Sequence, residues 1–110
     1  MKSYSIYQIK DEHPVGRYIK FMPLEFAKEE NLGTETGYLY KLDSDMYEKV
    51  YDGKAGDYES DIDCLNDLYS EFQGKKPEGY TGHSLSVSDV IVLDGKAYYV
   101  DSYGFEEIDF

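Results

Sequence analysis

Apolar and polar positions alternate along Tyr4–Lys10 (YSIYQIK), a period of two that predicts a first β-strand with one face on a core. Asp11 to Gly16 breaks the alternation with Pro14, which lacks a backbone donor, and with Gly16, so it reads as a turn. Arg17–Met22 (RYIKFM) alternates again and is expected to pair back as a second strand. Pro23 suits the first turn of a helix, and Leu24, Phe26 and Ala27 give it an apolar side before Gly33, which places a helix at about 24–32. Two more strand-like runs, Gly37–Leu42 and Met46–Tyr51, flank the turn-prone Asp43-Ser44-Asp45 and predict a hairpin, followed by a flexible connection over Asp52–Asp57.

The period then becomes helical. Ile62, Leu65, Leu68, Tyr69 and Phe72 recur at three- and four-residue spacing, Ser60 is placed to cap the N–H of Asp63, and Asp61 and Asp63 sit where the helix dipole favours negative charge. Gly74 stops this second helix, at about 60–73, whose opposite face shows Asp61, Asp67 and Glu71. A loop over Lys75–Gly79 leads to the stretch that organises the chain, Gly82–Phe105. Within it the apolar runs Val90–Leu93 and Ala97–Val100 flank Asp94-Gly95, the dipeptide of a type I′ hairpin turn, which needs φ > 0 at both positions. Ser84, Ser86, Ser88 and Asp89 alternate with Leu85 and Val87, so the approach reads as extended, its hydroxyls facing water or closing a turn. Ser102-Tyr103-Gly104 turns the chain again and Phe105–Phe110 adds a short last strand. The fold class expected is α+β: a small, mostly antiparallel sheet with two helices and a C-terminal hairpin.

Length changes this picture little, since 110 residues fit one domain spanning 1–110. Charge changes it more. The net charge is −12, and residues 43–71 hold ten acids against Lys49 and Lys54, whereas residues 1–42 balance six acids with six bases. Phosphate backbones are held by lysine and arginine, so direct binding of nucleic acid or an anionic membrane is disfavoured and a basic protein surface is the natural partner. No apolar run approaches the ~18 residues of a membrane span, and the N-terminus leads into an alternating strand rather than a signal-peptide core, so a cytoplasmic address is expected.

Candidate chemistry is sparse. Asp43/Asp45 and Asp61/Asp63 invite a calcium reading, but the sixth loop position, where an EF-hand needs Gly, is Glu48 or Asn66, so no metal is expected and the carboxylates read as turn and helix caps. His83 beside Ser84 is a poor general base on adjacency alone and reads as a structural histidine bonded to backbone. Cys64 is a lone cysteine and reads as a small apolar filler, and no cofactor is implied. Most of the 13 tyrosines fall in strand-like runs and suit core packing; Tyr47, Tyr51 and Tyr58 fall among the acids, where tyrosine also suits an interface.

Gly82–Leu93 (GHSLSVSDVIVL) and Tyr98–Phe105 (YYVDSYGF) resemble the signature of the YodL-like domain family, with weaker similarity over YSIYQIKD, RYIKFMPLEF, MYEKVY and Leu65–Phe72. The resemblance implies a setting in bacterial conjugative and integrative elements, no established enzyme activity and no catalytic residues to carry over. Such elements meet restriction enzymes and CRISPR nucleases, whose channels are lined with lysine and arginine. The function expected is therefore a non-enzymatic anti-defence inhibitor, acting on a Cas nuclease ahead of a restriction enzyme. Asp57, Glu59, Asp61, Asp63, Asp67 and Glu71 would stand in for phosphates, with Tyr58 as a packing contact. The alternative expected is a non-catalytic interaction module of a conjugative element, gripped through Gly82–Phe105.

Overall fold

The computed structural model describes residues 2–74 and 76–110; Met1 and Lys75, the latter in the expected loop, lie outside the described residues. One five-stranded sheet carries the fold, in the order β4-β1-β5-β6-β7, with every neighbouring pair antiparallel. Its strands are β1 (Lys2–Ile9), β4 (Tyr47–Ala55), β5 (Val90–Leu93), β6 (Lys96–Val100) and β7 (Phe105–Ile108). Side chains alternate across each strand, so Ile91, Leu93, Tyr98 and Val100 face one layer while Val90, Ala97 and Tyr99 face the other. The first layer is α3 (Asp61–Glu71), which buries Cys64, Leu65 and Leu68, followed by Phe72, on the sheet. The second is built by α1 (Gly16–Ile19), α2 (Leu24–Glu29) and a two-stranded ribbon of β2 (Thr34–Glu35) and β3 (Tyr40–Lys41). A sheet covered on both faces explains why β5 reads as a continuous aliphatic run.

The expected hairpin is present: Val90↔Tyr99 through Leu93↔Lys96 pair across Asp94-Gly95, whose φ values of 51° and 90° are those of a type I′ turn. Ser60 caps α3 by accepting from the Asp63 amide at 3.2 Å. Among the described residues three short helices stand where two were expected, and several boundaries differ for physical reasons.

Arg17–Met22 is not a strand. Both edges of β1 are taken, by β4 on one side and β5 on the other, so no edge is left for it to join. His13 Nδ1 instead accepts from the amides of Val15 and Gly16 and starts the single turn of α1, which buries Gly16 and Ile19. The helix expected to run to residue 32 ends at Glu29, because Asn31 takes the left-handed conformation (φ 55°) and the Leu32 amide closes on the Ala27 carbonyl at 2.9 Å.

Residues 37–42 and 46–51 do not pair with each other. Asp43 caps a short 3₁₀ turn, Ser44–Met46, that carries the chain to the far edge of the sheet. There β4 runs on through the expected connection as far as Ala55, pairing with the start of β1. Gly53 makes that extension possible: it lies opposite Tyr4, and a Cβ on it would strike the Tyr4 ring. A bulge at Ile6/Tyr7 leaves Val50 out of register, and its carbonyl accepts from the Thr81 amide.

The candidate functional surface

α3 is amphipathic, and its orientation is fixed by the four apolar side chains it sinks into the sheet. Residues four apart lie on one side of a helix, so Asp63, Asp67 and Glu71 form a row along the solvent side, and Glu59 precedes the extended cap residue Ser60. All four are exposed. Among the described residues no lysine or arginine pairs with Asp63 or Asp67. Like charges at this spacing oppose the helix by about 0.2–0.5 kcal/mol per pair, and Glu71 sits in a last turn that contains no base, against the helix dipole. The like-charge spacing and the placement of Glu71 therefore work against α3, while Asp63, in its first turn, is favoured by the dipole.

The remaining expected residues divide. Asp61 leaves the row: its carboxylate accepts from Lys2 Nζ at 2.5 Å and from the Tyr98 hydroxyl at 2.7 Å. These bonds hold its pKa below the usual carboxylate range, and they tie α3 to β1 and β6. Tyr58 is half-buried against the α3 layer, and the neighbouring Asp67 carboxylate raises its phenol pKa. Asp57 is exposed ahead of the cap.

Beside the row lies an open groove of about 230 Å³, bounded by Asn66 and Tyr69 of α3 and by Val87, Val100, Gly104 and Phe105. The Tyr69 and Phe105 rings meet edge to face at 6.4 Å, and Tyr103, at the tip of the β6–β7 turn, is 98% exposed.

A third feature was invisible in the sequence. Ser88 and Asp89, expected at the surface or in a turn, are each only 1% exposed, as is Gln8 at 2%. The Gln8 amide donates to the Asp89 carboxylate at 3.0 Å and to the His83 carbonyl at 2.9 Å, while its oxygen accepts from the His83 amide. Asp89 also accepts from the Ser86 amide at 2.8 Å. Burial pushes its pKa up to about 7, although these bonds and the Lys20 charge pull the other way. His83 Nδ1 lies 2.6 Å from the Ser84 carbonyl, the backbone-bonded role expected of it, and Nε2 is buried without a hydrogen-bond partner among the described residues. Phe21 rests on the His83 ring at a centroid distance of 5.4 Å. Its backbone is at φ 67°, a conformation bulky residues avoid, and its amide donates to Oγ of Ser88, itself at φ 84°.

A family model for the YodL-like domain matches residues 3–110. The chain belongs to the YodL-like domain family. No curated protein and no solved structure matches it. In this YodL-like domain the Gly82–Phe105 stretch supplies the central hairpin, the buried carboxyl of Asp89 and one wall of the groove. No helix is long and apolar enough to cross a membrane among the described residues.

Proposed function

We propose that this YodL-like domain is a non-enzymatic protein inhibitor of a host defence nuclease. Its acidic row enters the cationic nucleic-acid channel of the target, a Cas nuclease ahead of a restriction enzyme. The observation that carries the reading is the Asp63, Asp67 and Glu71 row, with Glu59 exposed ahead of the cap: it is exposed and single-signed, and among the described residues no lysine or arginine pairs with Asp63 or Asp67. The family's setting in conjugative and integrative elements supports the choice of target.

Magnitudes define how far mimicry can go. Each four-residue step advances about 6 Å along a helix, inside the Debye length of about 8 Å at physiological salt, so the carboxylates act as one field. A DNA strand carries a phosphate about every 3.4 Å of axis. The row thus has roughly half the linear charge density of one strand. It suffices to steer encounter, and tight binding then needs contacts of another kind.

The test adds purified protein to a guide-loaded Cas nuclease and measures DNA binding and cleavage at about 50 and about 300 mM salt. Inhibition at the lower salt that weakens at the higher, and that disappears in Asp63→Lys/Asp67→Lys, is the expected outcome. No inhibition at low salt across candidate nucleases would end the proposal.

The second reading, an interaction module of a conjugative element, is favoured by the exposed Tyr103 and the groove beside it. It expects a partner that still binds after the row is charge-reversed.

A further inference from the structure

α3 presents a second row, one flank over from its carboxylates. Ile62, Asn66 and Tyr69 follow at i, i+4 and i+7, and Ile62 is 46% exposed despite its hydrocarbon side chain. This row leads into the groove walled by Val87, Val100 and Phe105. The far wall is held in place: the Asp101 amide donates to the Gly104 carbonyl at 3.0 Å across the turn, and the Asp101 carboxylate accepts from the amides of Leu24 and Ser102. The near wall is a helix seated on the sheet. Both walls are thus formed before anything binds, which spares a ligand the cost of ordering them.

Size and charge select the occupant. At about 230 Å³ the groove falls below the roughly 300–1,000 Å³ typical of small-molecule sites and suits a single large side chain. Its border on the acidic row selects against phosphate-bearing ligands and acidic peptides, and a second copy of a chain with net charge −12 is repelled.

We propose that the groove takes one bulky apolar side chain, leucine or an aromatic, from a lysine- and arginine-rich segment of the target whose cations lie along Asp63 and Asp67. The inference rests on the acidic-surface reading and adds the contact that the row's modest charge density requires.

The test uses two fluorescent oligolysine peptides, identical except for a central leucine or serine, titrated against the whole chain at low salt. The leucine peptide is expected to bind about tenfold more tightly, the yield of burying one aliphatic side chain. Asn66→Trp, a substitution at an exposed helix position that fills the mouth of the groove, is expected to abolish the leucine preference and keep the binding common to both peptides. Amide shifts on binding the leucine peptide are expected at Tyr69, Val100 and Phe105. Equal affinity for the two peptides, an undiminished preference in Asn66→Trp, or shifts confined to other surfaces would each overturn the groove while leaving the acidic surface standing. Failure of the unmodified chain to bind either peptide would overturn both.

Discussion

Two helical segments of this domain make opposite use of their sequence. α3 is written locally: a cap at Ser60, acids in the first turn and apolar residues at helical spacing all agree with one another and with the sheet beneath. Arg17–Met22 carries an alternating pattern that favours a strand, yet it forms one turn of helix followed by a residue at positive φ. What decides its conformation lies elsewhere in the chain: the occupied edges of β1, the His13 ring, and Ser88, 67 residues downstream. Local consistency makes a segment legible from sequence; a segment held by distant side chains is not.

The largest expected effect probes the floor of the second region. The Asp89 pKa is raised from 3.8 to about 7, so the folded state holds a proton that the unfolded chain has released between those values. Stability therefore falls as pH rises from about 4 to about 7 and is flat above, by an amount on the order of 4 kcal/mol. Asp89→Asn keeps an oxygen acceptor for Gln8 and Ser86 and removes the charge. Denaturant melts from pH 5 to pH 8 should show the decline in the parent chain and not in the variant. A parent curve that is flat over this range would show that Asp89 is ionised in the fold at no cost. Asp61 works in the other direction: its lowered pKa gives stability that is present above pH 4 and lost in stronger acid.

The next effect tests how local α3 is. Ser60→Ala removes the cap and is expected to cost about 1 kcal/mol by denaturant melting, with α2 and the Phe21 segment keeping their amide protection against exchange. Spread of the lost protection into residues 16–29 would show that the two layers are coupled more tightly than the comparison allows.

An effect of similar size is an inversion of the usual ranking. At φ 67°, Phe21→Gly should be more stable than Phe21→Ala by about 1 kcal/mol, since both lose the ring and only alanine retains a Cβ in left-handed backbone. Equal stabilities would mean that the segment relaxes out of this conformation once the ring is gone.

The same contrast explains how much of the molecule could be read in advance. The central hairpin was legible because Asp94-Gly95 admits a two-residue turn between apolar runs, and α3 because its cap, acids and spacing coincide. The extension of β4 through Gly53 was not, since a glycine there looks like a loop until Tyr4 is placed against it. Asp67 and Glu71 were readable as the polar face of α3, while the departure of Asp61 needed Lys2 and Tyr98, residues far away in the chain. The groove could not be read because its walls come from α3 and from the turn after β6. The Asp89 network was hidden by composition: Ser84, Ser86, Ser88 and Asp89 look like solvent-facing polar residues, and the Gln8 amide, from the neighbouring strand, joins the Ser86 amide in holding Asp89 inside.

The placement of β1 sets when this protein can come into existence. Within this domain the first strand to be made lies between two partners, one of which ends with Leu93, so most of the domain must be made before the sheet can close. At roughly 5–20 residues per second that delay lasts on the order of ten seconds, during which a strand bearing Tyr4, Ile6 and Ile9 can pair with β4 while its β5 edge stands open. A nascent chain cut off ahead of the hairpin consequently holds the β1–β4 pair without the strands that close the sheet over its other edge.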